Sequence, residues 1–363
     1  MIYPNPRNCG RLIIVSNNRD GDELTQTFGC RQLEVKGLQP GTVLNDRYEI
    51  VRRLDDGKLS ALYLANDRKL LDSPFAVQEF VGSDLGPVQR RKVISDFKSE
   101  MLLLASLDHP SIPVLGDYFY VEEPGRFYVV SEYISGEDLV SRMHSSACGR
   151  IDEKTVTEWA IQIADALEYL HTQPRPIIYQ NLKPKKVIIH DNNRAMLINS
   201  GIAHWLSQKE TGLLGTIGYA PPELFDNRVE PRSDIYSLGA TMFQLLTATD
   251  PQDDPLLVFD FTKNPKPRQI TPSISTEMEQ ILMRSVEYKP EERFASAGEM
   301  SDTLSIHLES LIAESVSYGV PAPVLANETV QVQSVYCGFC GGPRTDGVFC
   351  VYCGERQPLS QSG

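Results

Sequence analysis

The chain has 363 residues, 41% hydrophobic and 23% charged, with a formal net charge of −13. That length holds a domain of roughly 270 residues plus small appendages, and the acidic balance gives no overall basic face for nucleic acid or an anionic membrane, leaving only a local patch open. No run of about eighteen apolar residues is present to span a bilayer, and the opening MIYPNPRNCGRLIIVSNNRDGDEL has too short an apolar core for a signal peptide, so a cytoplasmic protein without nucleic-acid or membrane partners is expected.

Residues 1–38 are short of apolar periodicity and form an N-terminal extension holding Cys9 and Cys30. From there RYEIVRRLDDGKLSALYLANDR reads as two strands around a turn, and FAVQEFV as a third. RKVISDFKSEMLLLASL reads as an amphipathic helix with Val93, Phe97, Met101 and Leu104 on one face. From GEDLVSRM onward helical periodicity dominates, in EKTVTEWAIQIADALEYLHT, SDIYSLGATMFQLLTA and SAGEMSDTLSIHLESLIAE. The order predicts an α+β domain over residues 39–311, with a small β-rich part followed by a large α-helical part. Residues 312–335 carry prolines and small polar residues without periodicity, and read as a flexible linker.

Residues 336–356 place Cys337, Cys340, Cys350 and Cys353 in the pattern C-x2-C-x9-C-x2-C, with glycine after three of the four. Two short C-x2-C turns bring four thiolates together tetrahedrally, as a structural zinc ribbon requires, and a segment this small has almost no core without the metal. Two disulfides or an unstructured reactive tail are the alternatives, and a reducing compartment disfavours the disulfides. The stretch NCGRL…NRDG…TFGC around Cys9 and Cys30 repeats these features in part, either as half a ribbon or by chance. Two thiolates do not hold zinc tightly, so no metal is expected there.

Between the helices lie PIIYQNLKPKKVIIHDNNRAMLINSGIAH (Pro176 to His204), GTIGYAPPE (Gly215 to Glu223) and PEERFASAGEM (Pro290 to Met300). In this order the motifs resemble the bacterial Ser/Thr protein kinases of the eukaryotic-like (Hanks) type, over about residues 39–311. The resemblance implies a two-lobed protein-kinase-like fold, with a small β-rich N-lobe, a large α-helical C-lobe and the zinc ribbon appended. It also implies a buried ion pair between Glu223 and Arg293, and a carboxylate, Asp234, tying down the catalytic loop.

The reactive positions that the resemblance picks out are different residues. Kinase chemistry uses a lysine on the third strand, a catalytic aspartate, and an asparagine and an aspartate for magnesium. Here those positions hold Gln78, Asn181, Lys186 and Asn199, while the helix carboxylate Glu100 and the loop lysine Lys183 match the family. Gln78 cannot form the ion pair with Glu100. An amide at 181 has no useful basicity, and a positioned general base is worth roughly 10²–10⁴ in rate. Lys186 and Asn199 offer an ammonium and one weak neutral oxygen where magnesium needs anionic or carbonyl ligands.

The glycine-rich turn keeps only Gly57. Asp55 and Ser60 stand at the other glycine positions, so that Asp55 and Asp56 either repel phosphate or form an ordinary solvated turn. Gln180 replaces the arginine that would receive a phosphate on Thr211 or Thr216; Ser200 replaces a phenylalanine, and Tyr179 a histidine.

At the four replaced positions the family's lysine and two aspartates sum to −1, and this chain's residues to +1, which favours an anion without a metal. Lys183 and Lys186 are either phosphate contacts or a solvated loop face. Leu62, Ala76 and Ile188 fall where apolar side chains sandwich a purine, and SEYI, containing Glu132 and Ile134, at the hinge; the same residues also fill a core with no ligand. The expectation is a pseudokinase acting as a regulatory or scaffolding module on other proteins, such as an active kinase or phosphatase, with zinc as its metal and ATP or another nucleotide bound, if at all, without magnesium. The alternative is an active, ATP-dependent Ser/Thr kinase with atypical site residues.

Overall fold

The computed structural model describes residues 37–56, 60–81, 87–122, 125–198, 216, 218–226, 228–253, 259–261 and 263–317. Cys9, Cys30, Gly57, Asn199, Ser200, Thr211, the linker from 318 and all four cysteines of the C-terminal segment lie outside them. The chain divides into two compact units, residues 1–84 with 119–129, and residues 85–118 with 130–363.

The first unit is built on a sheet. Strands β1 (Val43–Leu44), β2 (Tyr48–Asp56), β3 (Ser60–Asp67) and β4 (Ser73–Val81) are joined in succession as antiparallel neighbours, and β6 (Arg126–Glu132) and β5 (Leu115–Val121) complete the order β1-β2-β3-β4-β6-β5. β3 shows why the sequence folds this way: its burial alternates residue by residue, with Ala61, Tyr63, Ala65 and Asp67 buried, the period-two pattern of a strand with one core face. β5 and β6 escape that pattern because aromatic residues occupy both faces of each, Tyr118 to Tyr120 and Phe127 with Tyr128. Tyr48 stacks on Phe119 at 6.2 Å and Phe119 on Tyr128 at 5.0 Å. The buried carboxylate of Glu79 accepts the hydroxyls of Tyr63 at 3.0 Å and Tyr128 at 3.1 Å, so its charge is solvated by side chains.

The second unit is helical. Helix α1 (Pro87–Ala105) buries Phe97, Met101 and Leu104, three of the four residues of its expected apolar face, and leaves Val93 half-buried. After α2 (Leu139–Ser145), helix α3 (Glu153–His171) starts at Asp152, whose carboxylate accepts the Thr155 amide at 3.0 Å, and buries Val156, Ala160, Ile163, Leu167 and Leu170 at helical spacing. A small sheet β7-β8-β9 (Glu137–Asp138, Val187–Ile189, Ala195–Leu197) frames the loop between α3 and β8. Helix α4 (Pro231–Thr247) is buried all round from Ser233 to Thr247, the mark of a helix inside a core. Gly239 permits its close approach to α6 (Thr276–Ser285): a Cβ at 239 would lie 2.5 Å from that of Ser285. Between α4 and α6 lies the single turn α5 (Pro267–Ile270). The last helix, α7 (Ala297–Ser317), is tied to α3 by His307, whose Nε2 lies 2.7 Å from Glu153; the Ser275 cap of α6 donates its amide and hydroxyl to the same carboxylate at 2.8 and 2.6 Å.

The expected ion pair is present. Arg293 donates to both carboxylate oxygens of Glu223 at 2.7 and 2.9 Å, and Ser233 adds its hydroxyl at 2.8 Å. Burial pushes the Glu223 carboxyl up, but the Arg293 guanidinium outweighs it and holds the group below its ordinary value. A depressed carboxyl contributes fully above its unfolded pKa and loses that contribution as pH falls through the folded one. Arg293→Ala is therefore expected to cost about 3–5 kcal/mol near neutral pH in urea denaturation, with the gap from wild type narrowing as the solution is acidified.

Candidate functional site

The loop from Ile177 to Lys186 is organised by one buried carboxylate. Asp234, in the first turn of α4, accepts the amides of Tyr179 and Gln180, each at 2.7 Å, and lies 2.8 Å from Nε2 of His171 at the end of α3. The positive end of the α4 dipole favours its charge. Gln180 is buried with a φ of 62°, a left-handed conformation that side-chain-bearing residues adopt only when their surroundings impose it. The bond from its amide to Asp234 supplies that constraint. The Asn181 amide then turns back onto the Tyr179 carbonyl at 2.9 Å.

Tyr179, at the family's histidine position, is buried, and its hydroxyl donates to the Ile198 carbonyl at 2.5 Å. Burial, with the Asp234 charge nearby, pushes that phenol well above its ordinary range, so it stays a donor. Ile198 also donates its amide to the Lys186 carbonyl at 3.1 Å, and the Lys186 amide bonds Lys183 at 2.8 Å across the 3₁₀ turn Pro184–Lys186. The chain entering position 199 is thus held from two sides.

Lys183 and Asn181 are brought together through Thr216. The Lys183 ammonium donates to Thr216 Oγ1 at 2.8 Å, and that hydroxyl donates to Asn181 Oδ1 at 3.3 Å. Lys183 is half-buried in this linkage. Thr216, considered from sequence only as a phosphate carrier, is here the bridge between them. The donor set does not fit magnesium: of the family's two metal-ligand positions, 186 is a lysine, and 199 is an asparagine that lies outside the described residues.

In the first unit, Gln78 on β4 is buried and directly opposite Leu62 on β3, with Ala76 opposite Leu64. Opposed residues of an antiparallel pair point to one face, so Leu62, Ala76 and Gln78 share a surface. Asp55 on β2 pairs with Leu62 across a bulge, which sets a carboxylate at the same register. The other nucleotide-cleft candidates belong to the second unit: Ile134 is buried, Ile188 half-buried on β8, Glu132 exposed at the end of β6, and Lys183 and Lys186 both half-buried.

Glu100 has a partner that the sequence reading missed. Its carboxylate lies 3.3 Å from Arg175, in the segment leading into the loop. Arg175 and His171 carry no local motif; each is identified by what the fold sets beside it.

The framework of Asp234, Glu223 with Arg293, and the Lys183–Thr216 tie defines a protein-kinase domain. Over residues 48–304 the chain matches the protein kinase domain family. It is 33% identical over 290 residues to serine/threonine-protein kinase C of Synechocystis sp., covering 74% of this chain and 51% of that protein. To serine/threonine-protein kinase PknB of Mycobacterium tuberculosis it is 28% identical over 320 residues, covering 84% and 49%. The chain spans about half the length of the curated relatives it matches. Among solved structures, the PknI kinase domain of M. tuberculosis aligns with a TM-score of 0.57 at 22% identity, over 74% of this chain and 99% of that one. The apo form of PpkA-294 aligns with a TM-score of 0.60 at 22% identity, over the same shares. The chain belongs to the bacterial, Hanks-type serine/threonine protein kinase family. No helix among the described residues is long and apolar enough to cross a membrane.

Tyr179→Phe would remove the donor to the half-buried Ile198 carbonyl, at an expected cost of about 0.5–1.5 kcal/mol. Urea unfolding of the variant beside wild type measures it.

Proposed function

We propose that this chain is a catalytically impaired member of its family, a pseudokinase that acts as a regulatory or scaffolding module by binding other proteins, an active kinase or phosphatase among them. The observation that carries this reading is Asn181. At the position where a carboxylate would take the substrate's proton stands an amide whose oxygen accepts from Thr216, and an amide has no useful basicity. The substitutions at 78, 186 and 199 add to it by removing the phosphate-binding lysine and the magnesium ligands.

Nucleotide binding in this reading needs no metal. Lys183 and Lys186 supply the charge for a phosphate, and Leu62, Ala76 and Ile188 the apolar surface for a purine, with Glu132 and Ile134 at the hinge position. The C-terminal segment, with Cys337, Cys340, Cys350 and Cys353, adds a structural zinc ribbon.

A second reading, an active serine/threonine kinase with atypical ligands, is favoured by the Lys183–Thr216–Asn181 linkage, which keeps the loop ordered, and by relatives named as serine/threonine-protein kinases.

Radiolabelled ATP separates the two. The full chain is expected to show neither autophosphorylation nor transfer to generic protein substrates. Transfer above background that disappears in Lys183→Ala would establish the second reading. Metal analysis of protein purified under reducing conditions is expected to find about one zinc per chain, lost on Cys350→Ser; a content near zero would remove the ribbon.

A further inference from the structure

Two neighbouring residues of β4 are treated differently by the fold. Glu79 points to the core side of the sheet, where the hydroxyls of Tyr63 and Tyr128 bond its carboxylate. Gln78 points to the opposite side. It is 7% exposed, and no hydrogen bond or ion pair joins its side chain to another described residue. Burying a carboxamide without a partner costs free energy, and native structures rarely leave one so. Packing within the fold therefore does not account for a glutamine at this position.

The surface around Gln78 is apolar and only partly covered. Leu62 stands directly opposite Gln78 and Leu64 opposite Ala76, so the four share one side of the β3–β4 pair. Leu62, Leu64 and Ala76 are each half-buried. A solvated strand face is ordinarily polar, whereas this one presents two leucines in succession.

The amide itself narrows the chemistry of a partner. A carboxamide has both donors and an acceptor. A phosphate only accepts, and would leave the Gln78 carbonyl oxygen unpaired. Asp55, which pairs with Leu62 from the other strand, lies in the same row about 10 Å from Gln78 and sets a negative charge against an anion there. A hydroxyl donates, accepts and carries no charge, so a sugar with neighbouring hydroxyls satisfies both ends of the amide. Gln78 is two residues, about 7 Å, along the strand from Ala76, a spacing that suits a flat ring on Leu62, Leu64 and Ala76 with its sugar at the amide.

We propose that Gln78 binds the ring hydroxyls of a purine nucleoside whose base packs on Leu62, Leu64 and Ala76, an assignment that rests on the nucleotide-binding reading and narrows it to recognition through the sugar. Where the family uses a lysine on phosphate, this chain binds an uncharged group.

Titration calorimetry on the full chain, in the presence of a chelator, compares adenosine with dideoxyadenosine, which lacks both ring hydroxyls. Wild type is expected to bind adenosine at least about tenfold more tightly, because a site built to bond a hydroxyl rejects the analogue without it. Gln78→Met, similar in length but without the amide, should bring the two ligands to equal affinity. A purely structural role for Gln78 would weaken both alike and preserve their ratio. Equal affinities in wild type, a preference that survives in Gln78→Met, or a loss of ATP affinity in that variant larger than its loss of adenosine affinity would each overturn the assignment to the sugar and leave the purine surface standing. A wild type that binds neither adenosine nor ATP would overturn the nucleotide-binding reading, and this assignment with it.

Discussion

The carboxylate of Asp234 ties the loop from Ile177 to Lys186 to the helices on either side of it. Two consecutive loop amides and a histidine from another helix converge on it, all within 2.8 Å and all buried. A buried charge is tolerated only when it is fully paired, and removing a partner leaves a penalty of several kcal/mol. That penalty locks α3, the loop and α4 into one arrangement. The left-handed Gln180, the placement of Asn181 and the hydroxyl contact of Tyr179 all follow from it.

The residues that build this frame and those that would perform chemistry are separate sets. Asp234, Glu223 and Arg293 are buried and bonded, and their replacement would unsettle the fold. A catalytic carboxylate has no such role. Asn181 has nearly the shape of an aspartate, and its side-chain oxygen accepts from Thr216, so its place in the loop does not require a carboxylate. Glu100 shows the same separation from the other side. With a glutamine at position 78, its carboxylate meets Arg175 instead. Because Arg175 is 71% exposed, solvent screens the pair and its worth is about 1 kcal/mol or less. It satisfies the carboxylate without holding the helix strongly.

Much of this was legible in the sequence, for identifiable reasons. The two strands around a turn at β2 and β3, and the apolar-faced helices α3 and α4, are local patterns, and the fold reproduces them. Asp234 and the Glu223–Arg293 pair were legible through the motifs that contain them. The contacts that sequence did not reveal are long-range and polar. His307 meets Glu153 across 154 positions, and Tyr128 meets Glu79 across 49. No periodicity encodes such pairs, because only the folded chain makes them neighbours. The bridging role of Thr216 was hidden for the same reason, 33 positions from Lys183.

A loop that is ordered without its reactive carboxylates should have no use for magnesium, and this is measurable apart from catalysis. Titration calorimetry of ATP into the full chain, first with a chelator and then with magnesium, reads the metal's contribution directly. Affinity unchanged by the metal is the predicted result, because Lys186 and Asn199, at the family's metal-ligand positions, offer it no suitable ligand set. A gain of roughly tenfold or more on adding magnesium, or binding that appears only with it, would contradict the separation of frame from chemistry.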